Sequence, residues 1–264
     1  MTKEQFLAER VEQQKPKCVM CHGSGTVDHN AFGDTNIKIA CSQCADFEFR
    51  LDLFCRGFFN PKYVMPRYWD AVYLNRLQPS EKSKLEPKSG LTGLERQARL
   101  INKIVSNPDQ GFALFGPPQI GKTMWTVGLY AKVLYKELMS ADMKPGYRVP
   151  VRRLASKVLL DQHQAFAMRG NFDDDAVLEP DVTREGIIRC YENGSKYRLF
   201  LEEIDKVKET EARRATMFEI LDALHGCMGQ FVMTSNLTPE VFAAQMGGDF
   251  MHRIKSTAEV IDLF

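Results

Sequence analysis

The sequence predicts an α/β fold, a parallel sheet covered by helices on both faces, with a small cysteine-rich module at the N-terminal end. Three observations predict it. Short apolar runs alternate with stretches of helical spacing through the second half of the chain. One of these runs leads directly into a glycine-rich turn and then a helix, the order of a phosphate-binding unit. Two Cys-x₂-Cys pairs stand well before this region.

Length and composition suit a folded protein with one large domain and a small appendage. The chain has 264 residues, a formal net charge of +1, a hydrophobic fraction of 44% and a charged fraction of 26%. No apolar run approaches the roughly 18 residues of a membrane span, and the first residues lack the apolar stretch of a secretory signal. We therefore expect a cytoplasmic protein with no membrane partner. The near-neutral charge leaves nucleic-acid binding to local patches.

The elements follow in order along the chain. A polar stretch with two prolines at 78–90 is predicted as a linker, which gives a cysteine module at 1–60, a connecting segment at 61–90 and the α/β domain at 91–264. The predicted helices are 91–106, 124–138, 154–166, 182–191, 211–224 and 239–246. The predicted strands are 111–115, 147–151, 197–201, 230–234 and 259–264. Pro150 assigns the second strand to an edge of the sheet, because proline donates no ladder hydrogen bond.

Residues 116–123 match the pattern G-x-x-x-x-G-K-[ST], with a predicted strand before it and a predicted helix after it. In this P-loop, or Walker A motif, backbone N–H groups cradle phosphates, while Lys122 binds the β and γ oxygens and the Thr123 hydroxyl can bind Mg²⁺. The predicted nucleotide-binding residues are Gly116, Pro117, Pro118, Gln119, Ile120, Gly121, Lys122 and Thr123.

Polar residues follow the predicted strands at 197–201 and 230–234. Glu202 is expected to hold Mg²⁺ and Glu203 to orient the attacking water. A shifted alternative uses Glu203 and Asp205, so the sequence leaves open which of the three carboxylates binds the metal. Asn236 follows the strand at 230–234 and is expected to bind the γ-phosphate or the attacking water, although asparagine is also a common turn former.

Four cysteines have the spacing of a structural zinc site. Cys18, Cys21, Cys41 and Cys44 form two Cys-x₂-Cys pairs, each supplying two thiolates to one tetrahedral ion. His22 and His29 are alternative ligands, but four thiolates already complete the shell. Zinc would supply folding energy that this short segment lacks. The phenylalanines that follow are expected to form mainly a local core, with a partner-binding or base-stacking surface as the alternative.

From about residue 62 to its end, the sequence resembles AAA+ ATPases, and among them the DnaC-type helicase loaders and the IstB-like transposition ATPases. The motifs that carry the resemblance are 64–68, 116–123, 199–205, 232–237 and the Pro-Glu pair at 239–240. The resemblance implies a five-stranded parallel sheet, an ATP site with Asn236 as its first sensor, and an adenine-proximal segment around Pro66, Arg67 and Tyr68. It also implies that Arg253 is an arginine finger, which reaches a neighbouring subunit's ATP and makes self-association part of the activity.

Three features depart from the family pattern. Gln119 stands where the family prefers glycine, and Glu202 stands where it prefers aspartate. The chain ends on the fifth predicted strand, so most of the C-terminal helical lid is expected to be absent. These departures lead us to expect slow ATP hydrolysis that acts as a switch, and the implied arginine finger makes that hydrolysis depend on assembly.

The function that the resemblance implies is helicase loading in DNA replication. The expected partners are a hexameric replicative DNA helicase and single-stranded DNA, and the expected cofactors are ATP, Mg²⁺ and Zn²⁺. An IstB-like ATPase that binds duplex DNA and a nucleotide-gated adaptor without significant turnover are the alternatives. A small-molecule P-loop kinase is disfavoured, because the sequence offers no evident acceptor site.

Overall fold

The computed structural model describes residues 8, 10–12, 18–20, 22, 24, 26–29, 37–58, 103, 107, 109–118, 120, 122–140, 149–168, 182–206 and 210–264. The expectations for the segment 61–90, for most of the helix predicted at 91–106, and for Cys21, Gln119 and Gly121 lie outside these residues. Contacts divide the chain into two compact units, Met1–Asp70 with Leu134–Tyr147 and Ala71–Val133 with Arg148–Phe264.

The first unit contains a β-hairpin followed directly by a helix. Strands β1 (Thr26–His29) and β2 (Ile37–Ala40) pair antiparallel, and helix α1 spans Ser42–Phe58. Leu51 and Phe54 of α1 are fully buried. The Phe54 ring meets Tyr135 edge-on at 5.7 Å between centroids, and Arg50 donates a hydrogen bond to the carbonyl of Leu138 at 2.7 Å. Helix α1 thus forms a local core with residues that lie beyond the P-loop in sequence.

A five-stranded parallel sheet forms the centre of the second unit, which confirms the predicted fold class. Its strands are β3 (Phe112–Phe115), β4 (Val151–Ala155), β5 (Arg198–Glu202), β6 (Gln230–Ser235) and β7 (Glu259–Asp262). They lie in the order β4-β5-β6-β3-β7, and each neighbouring pair runs parallel. Every residue of β3 and β6 is buried, as expected for central strands of a sheet covered on both faces.

Helices connect these strands. They are α2 (Lys122–Ser140), α3 (Ser156–Met168), α4 (Arg184–Glu192), α5 (Glu211–Gly226), α6 (Pro239–Met246) and α7 (Gly248–Thr257). Threonine hydroxyls at 183, 210 and 238 accept hydrogen bonds from backbone N–H groups in the first turns of α4, α5 and α6, so these three helices start at capped positions. No helix in the described part of the chain is long and apolar enough to cross a membrane.

Two details of the predicted elements are wrong. The edge strand spans Val151–Ala155 rather than 147–151, and the next helix begins at Ser156 rather than at 154. Pro150 precedes the strand, where its carbonyl accepts from the Arg198 N–H at 2.8 Å, and the ladder with β5 carries the strand on to Ala155. The edge position itself is confirmed. Helix α7 was not predicted, and it contains Arg253.

Candidate functional site

The carboxyl ends of three parallel strands bring the predicted nucleotide residues to one edge of the sheet. Strand β3 leads into the P-loop, β5 ends at Glu202, and β6 ends at Ser235, one residue before Asn236. Because β6 lies between β3 and β5, Asn236 stands between the P-loop and the acidic residues. This is the edge at which open parallel sheets bind ligands.

The P-loop begins at a position where only glycine fits. The Gly116 N–H donates to the carbonyl of Ser235 at 3.2 Å. A β-carbon on Gly116 would lie 2.6 Å from Ile120 Cδ1 and 2.7 Å from Leu263 Cβ, closer than real β-carbons come to other atoms. Packing therefore holds the start of the loop against both β6 and the segment after β7.

The Lys122 ammonium group is turned onto the P-loop itself. Its Nζ donates to the carbonyl oxygens of Gly116 at 2.6 Å and Pro117 at 2.8 Å, and to Asn236 Oδ1 at 3.0 Å. Lys122 is buried, and it is the first residue of α2. Phosphate oxygens would compete with these three neutral acceptors for the ammonium group.

Burial lowers the pKa of Lys122 to about 8, while the carboxylates of Asp205 and Glu203 oppose this shift and Lys206 adds to it. Desolvation penalises a charged group, and the two nearby carboxylates recover only part of that penalty. Lys122 therefore changes its charge within the range of ordinary biochemical buffers.

Asp205 holds Asn236 from the opposite side. The Asn236 backbone N–H donates to Asp205 Oδ1 at 2.8 Å, and the side-chain Nδ2 donates to Asp205 Oδ2 at 3.2 Å. Asp205 lies in a 3₁₀ turn, Ile204–Lys206, that follows β5. The sequence offered Asp205 only as an alternative magnesium ligand, so this contact was not predicted.

Glu203 occupies a strained backbone position. Its φ angle is 54°, in the left-handed region that residues other than glycine rarely adopt. The Glu203 N–H donates to Thr234 Oγ1 at 3.0 Å, and its carboxylate pairs with Lys206 at 2.6 Å near the surface. Backbone strain of this kind is often found at functional sites, and here it occurs at the residue whose partly exposed carboxylate pairs with Lys206.

Glu202 is buried against an arginine that was not predicted. Its carboxylate accepts three hydrogen bonds from Arg153, at 2.8 to 3.0 Å, and Thr126 Oγ1 lies 3.5 Å from Glu202 Oε1. The Ser156 hydroxyl donates to the backbone carbonyl of Glu202 at 2.8 Å. Burial raises the pKa of Glu202, and Arg153 works in the opposite direction.

The two predicted magnesium ligands differ in how well they fit the ion. Thr123 stands in the first turn of α2, half-buried beside the P-loop, where a hydroxyl oxygen suits Mg²⁺. The Glu202 carboxylate would first have to exchange its bonds to Arg153. Its magnesium role stays a prediction that depends on that exchange.

Arg253 is held within its own chain. One of its Nη atoms lies 2.6 Å from Asp222 Oδ1, and its guanidinium carbon lies 5.8 Å from the centroid of the Phe218 ring. Both partners are on α5. The finger role of Arg253 stays a prediction, and an arginine that reached a second subunit would first leave Asp222.

Comparisons with known proteins give several structural likenesses. No protein-family model matches the chain, and no curated protein matches it. It is similar to the crystal structure of the DnaC helicase loader, with 18% identity and a TM-score of 0.46, over 76% of this chain and 100% of that chain. It is also similar to the crystal structure of a DNA replication initiation factor, with 13% identity and a TM-score of 0.44, over 68% of this chain and 50% of that chain.

The first of these proteins belongs to the class that the sequence motifs resemble. Both TM-scores lie below 0.5, so the functional argument for this chain depends on its own residues.

The cysteine cluster forms a separate candidate site in the first unit. The Sγ atoms of Cys18, Cys41 and Cys44 all lie within 4.8 Å of one another, and Cys18 and Cys41 are 3.6 Å apart. Tetrahedral zinc with Zn–S bonds of about 2.3 Å separates its sulfurs by about 3.8 Å, so the three thiols fit the ion. Cys21, the fourth predicted ligand, lies outside the described residues.

Backbone hydrogen bonds also close a turn at two of these cysteines. The His22 N–H donates to the carbonyl of Cys18 at 2.9 Å, and the Ala45 N–H donates to that of Cys41 at 3.0 Å. Each bond closes one turn of backbone that begins at a cysteine of the cluster. A cavity of about 320 Å³ adjoins the cluster and is lined in part by Cys18 and Cys44.

Sequence reasoning therefore missed Arg153, the anchoring role of Asp205 and the hydroxyl of Thr234. A weak signal existed for Thr234, since it directly precedes the Ser-Asn turn. The sequence held no signal for Arg153, because its contact with Glu202 depends on β4 lying next to β5 in the sheet.

Proposed function

We propose that the chain is an ATP-dependent helicase loader of DNA replication, which binds a hexameric replicative helicase and single-stranded DNA and hydrolyses ATP slowly as a switch. The observation that carries the ATPase part is the convergence of Lys122, Asn236 and the acidic residues Glu203 and Asp205 at one sheet edge. The helicase and the DNA come from the resemblance of the sequence motifs.

The arrangement supports phosphate binding followed by hydrolysis. Backbone N–H groups of a P-loop and of the helix that follows it bind phosphate, and Lys122 would supply a positive charge to the β and γ oxygens. Magnesium, held by Thr123, would neutralise phosphate charge. The Glu203 carboxylate would act as the base that takes a proton from water, after exchanging its ion pair with Lys206.

The positions of Glu202 and Arg253 support slow turnover. Glu202 is paired with Arg153, and Arg253 is paired with Asp222, so neither side chain is free for the transition state without rearrangement. An arginine supplied by a neighbouring subunit can raise the rate by about 10³- to 10⁵-fold. Hydrolysis that rises on assembly is the expected behaviour.

The same pairing of Glu202 favours a second candidate, a nucleotide-gated adaptor without turnover. In such a protein ATP would bind and change the conformation, but water would not be activated. The variant Glu203→Gln separates the two functions. It abolishes ATP hydrolysis in a switch that turns over, and it leaves phosphate release unchanged at background in an adaptor.

Partner binding is assigned to the cysteine module. Val19 and Met20, between the first two cysteines, are 72% and 46% exposed, and Phe49 on α1 is 55% exposed. Apolar side chains held at the surface next to a metal site are suited to contact another protein.

The test is a pull-down of the full chain against a hexameric replicative helicase, in ATP and in ADP, with and without single-stranded DNA. Lys122→Met should remove the nucleotide dependence, and Lys157→Met, an exposed lysine on α3, should behave as wild type. Binding that changes with nucleotide supports the proposal. Absence of binding in both nucleotides contradicts the loader function, and binding of duplex DNA in its place would favour a transposition ATPase.

A further inference from the structure

Asp205, Asn236 and Lys122 form a continuous chain of hydrogen bonds across the sheet edge. Lys122 Nζ donates to Asn236 Oδ1 at 3.0 Å, and Asn236 Nδ2 donates to Asp205 Oδ2 at 3.2 Å. An ammonium group can only donate, and an ionised carboxylate can only accept. The two end groups therefore allow only one orientation of the Asn236 amide, with its NH₂ group towards Asp205 and its carbonyl oxygen towards Lys122.

Asp205 is itself held in place by the backbone. Its second oxygen, Oδ1, accepts the Asn236 N–H at 2.8 Å, and the turn that carries it is closed by a bond from the Lys206 N–H to the Glu203 carbonyl at 3.0 Å. One carboxylate thus performs two separate tasks. Oδ1 joins the end of β5 to the end of β6, and Oδ2 determines which way the Asn236 amide faces.

We propose that Asp205 is a positioning residue, which fixes Asn236 so that its side chain accepts a hydrogen bond at the phosphate end of the site and does not donate one there. The inference rests on the proposed ATPase function. When phosphate oxygens draw Lys122 away, Asn236 Oδ1 becomes a free acceptor beside the γ-phosphate position. An acceptor there binds an O–H of water and repels a phosphate oxygen.

This orientation matters for the hydrolytic step. The water oxygen forms a bond to the γ-phosphorus, and the bond from that phosphorus to the bridging oxygen breaks, with its electron pair leaving on ADP. One water proton passes to the Glu203 carboxylate. Asn236 Oδ1 accepts the other O–H, so that a lone pair of the water oxygen is aimed at the phosphorus.

The variant Asp205→Asn separates the two tasks of the carboxylate. Its amide oxygen can still accept the Asn236 N–H, but its NH₂ group now faces the Asn236 amide. The Asn236 side chain has to turn over to avoid two facing donors. We expect kcat for ATP to fall about tenfold, which corresponds to about 1.4 kcal/mol, with KM changed less than about twofold because phosphate binding is retained.

The double variant Asp205→Asn with Asn236→Asp restores a matched donor and acceptor at both hydrogen bonds with side chains of the same shape, although the bond between residues 205 and 236 then runs in the opposite direction. Asn at 205 then donates to the carboxylate at 236, which accepts from Lys122 or from water. When kcat is compared on a logarithmic scale, we expect the double variant to regain at least about half of what the single variant loses. Asp161→Asn, an exposed site on α3, controls for the loss of one negative charge and should match wild type.

A readout without nucleotide distinguishes failure of this inference from failure of the proposed function. The side-chain NH₂ signal of Asn236 in ¹⁵N-correlated NMR spectra of the full chain, assigned by its loss in Asn236→Asp, should shift in Asp205→Asn. If that signal and kcat both stay unchanged, Asp205 only anchors the turn and the proposal is overturned. If wild type does not hydrolyse ATP, the proposed function fails, and the NMR signal alone decides whether Asp205 orients Asn236.

Discussion

Arg153 and Glu202 form a mostly buried ion pair between neighbouring strands. Their side chains are only 14% and 11% exposed, and Arg153 donates three hydrogen bonds to the carboxylate. Moving two charges out of water is costly, and this pair recovers the cost only while both members are present. Glu202 is also a predicted magnesium ligand. The ion pair therefore couples the stability of the sheet at β4 and β5 to a residue of the candidate nucleotide site.

Replacing only one member should be strongly destabilising. Arg153→Met leaves Glu202 buried without its main partner, and we expect a loss of about 3 kcal/mol in the free energy of unfolding at pH 7.5. Arg153→Met combined with Glu202→Gln should recover most of it. Denaturant titration measures the free energy of unfolding of both variants. If the single variant matches wild type, the pair is not buried in solution.

The loss in Arg153→Met should also depend on pH. Burial already raises the pKa of Glu202, and without Arg153 that pKa rises further. A carboxyl group whose pKa is raised in the folded chain stabilises it below its ordinary pKa, and this contribution is lost as pH rises through the folded pKa. The difference from wild type should therefore shrink as the pH is lowered from 7.5 towards 5.

Nucleotide affinity should fall in mildly alkaline solution. The pKa of Lys122 is about 8, and phosphate binding needs the charged ammonium group. We expect the affinity for a fluorescent ATP analogue to fall above pH 8, by about tenfold per pH unit at most. Lys122→Arg keeps its charge throughout this range, so its affinity should stay level. A level affinity in wild type would contradict the low pKa.

Gly116 should not tolerate a β-carbon. Gly116→Ala places that carbon within 2.7 Å of Ile120 and Leu263, and we expect a loss of about 1 to 3 kcal/mol in stability together with weaker nucleotide binding. Gly226→Ala is the matched control. A β-carbon there meets nothing within 4 Å among the described residues outside its own helix, so thermal denaturation should show unchanged or slightly higher stability. Equal effects at both positions would argue against the packing explanation.

Zinc should bind to the cysteine module and stabilise it. The purified chain should contain about one zinc ion, and Cys41→Ser should lose it, as measured by elemental analysis, because Cys41 is buried within the cluster. Cys227→Ser, outside the cluster, should retain the metal. Chelation should unfold the hairpin and leave nucleotide binding intact. Loss of both on chelation would contradict the predicted division into two modules.

Glu203 should show a conflict between stability and activity. Glu203→Gly relieves the left-handed backbone, so we expect stability to stay level or rise by up to about 1 kcal/mol, while ATP hydrolysis falls about 100-fold or more through loss of the carboxylate. Glu203→Ala loses the carboxylate without this relief, and its unfolding midpoint should lie below that of Glu203→Gly. Retained hydrolysis in both variants would remove Glu203 from the mechanism.

Local patterns were sufficient to predict the fold class and the order of strand, turn and helix around residues 116–123. Lys122 and Gly116 belong to a contiguous pattern whose geometry is determined by its own backbone and its flanking elements. Asn236 could be placed because it directly follows a strongly apolar run. These features are determined by residues that are close together in the sequence, so local patterns predict them.

The contacts between strands could not be predicted in the same way. The pairing of Arg153 with Glu202 requires β4 to lie next to β5, and the contact of Asp205 with Asn236 requires β6 to lie on the other side of β5. The edge strand was misplaced by four residues for the same reason, because its limits are determined by the ladder with β5. Tertiary pairing, rather than local propensity, determined each of these outcomes.

Strand β6 is hydrogen-bonded on both sides and buried along its whole length. Its amide protons can exchange with solvent only when the sheet comes apart, so they should be among the slowest to exchange and should report the global opening of this unit. A bound nucleotide would slow the exchange of these protons by stabilising the whole unit, rather than by changing the strand itself. In the proposed switch, any motion that carries a signal from the phosphates would therefore pass through the side chains and turns beyond the strand ends, while the sheet remains a fixed frame.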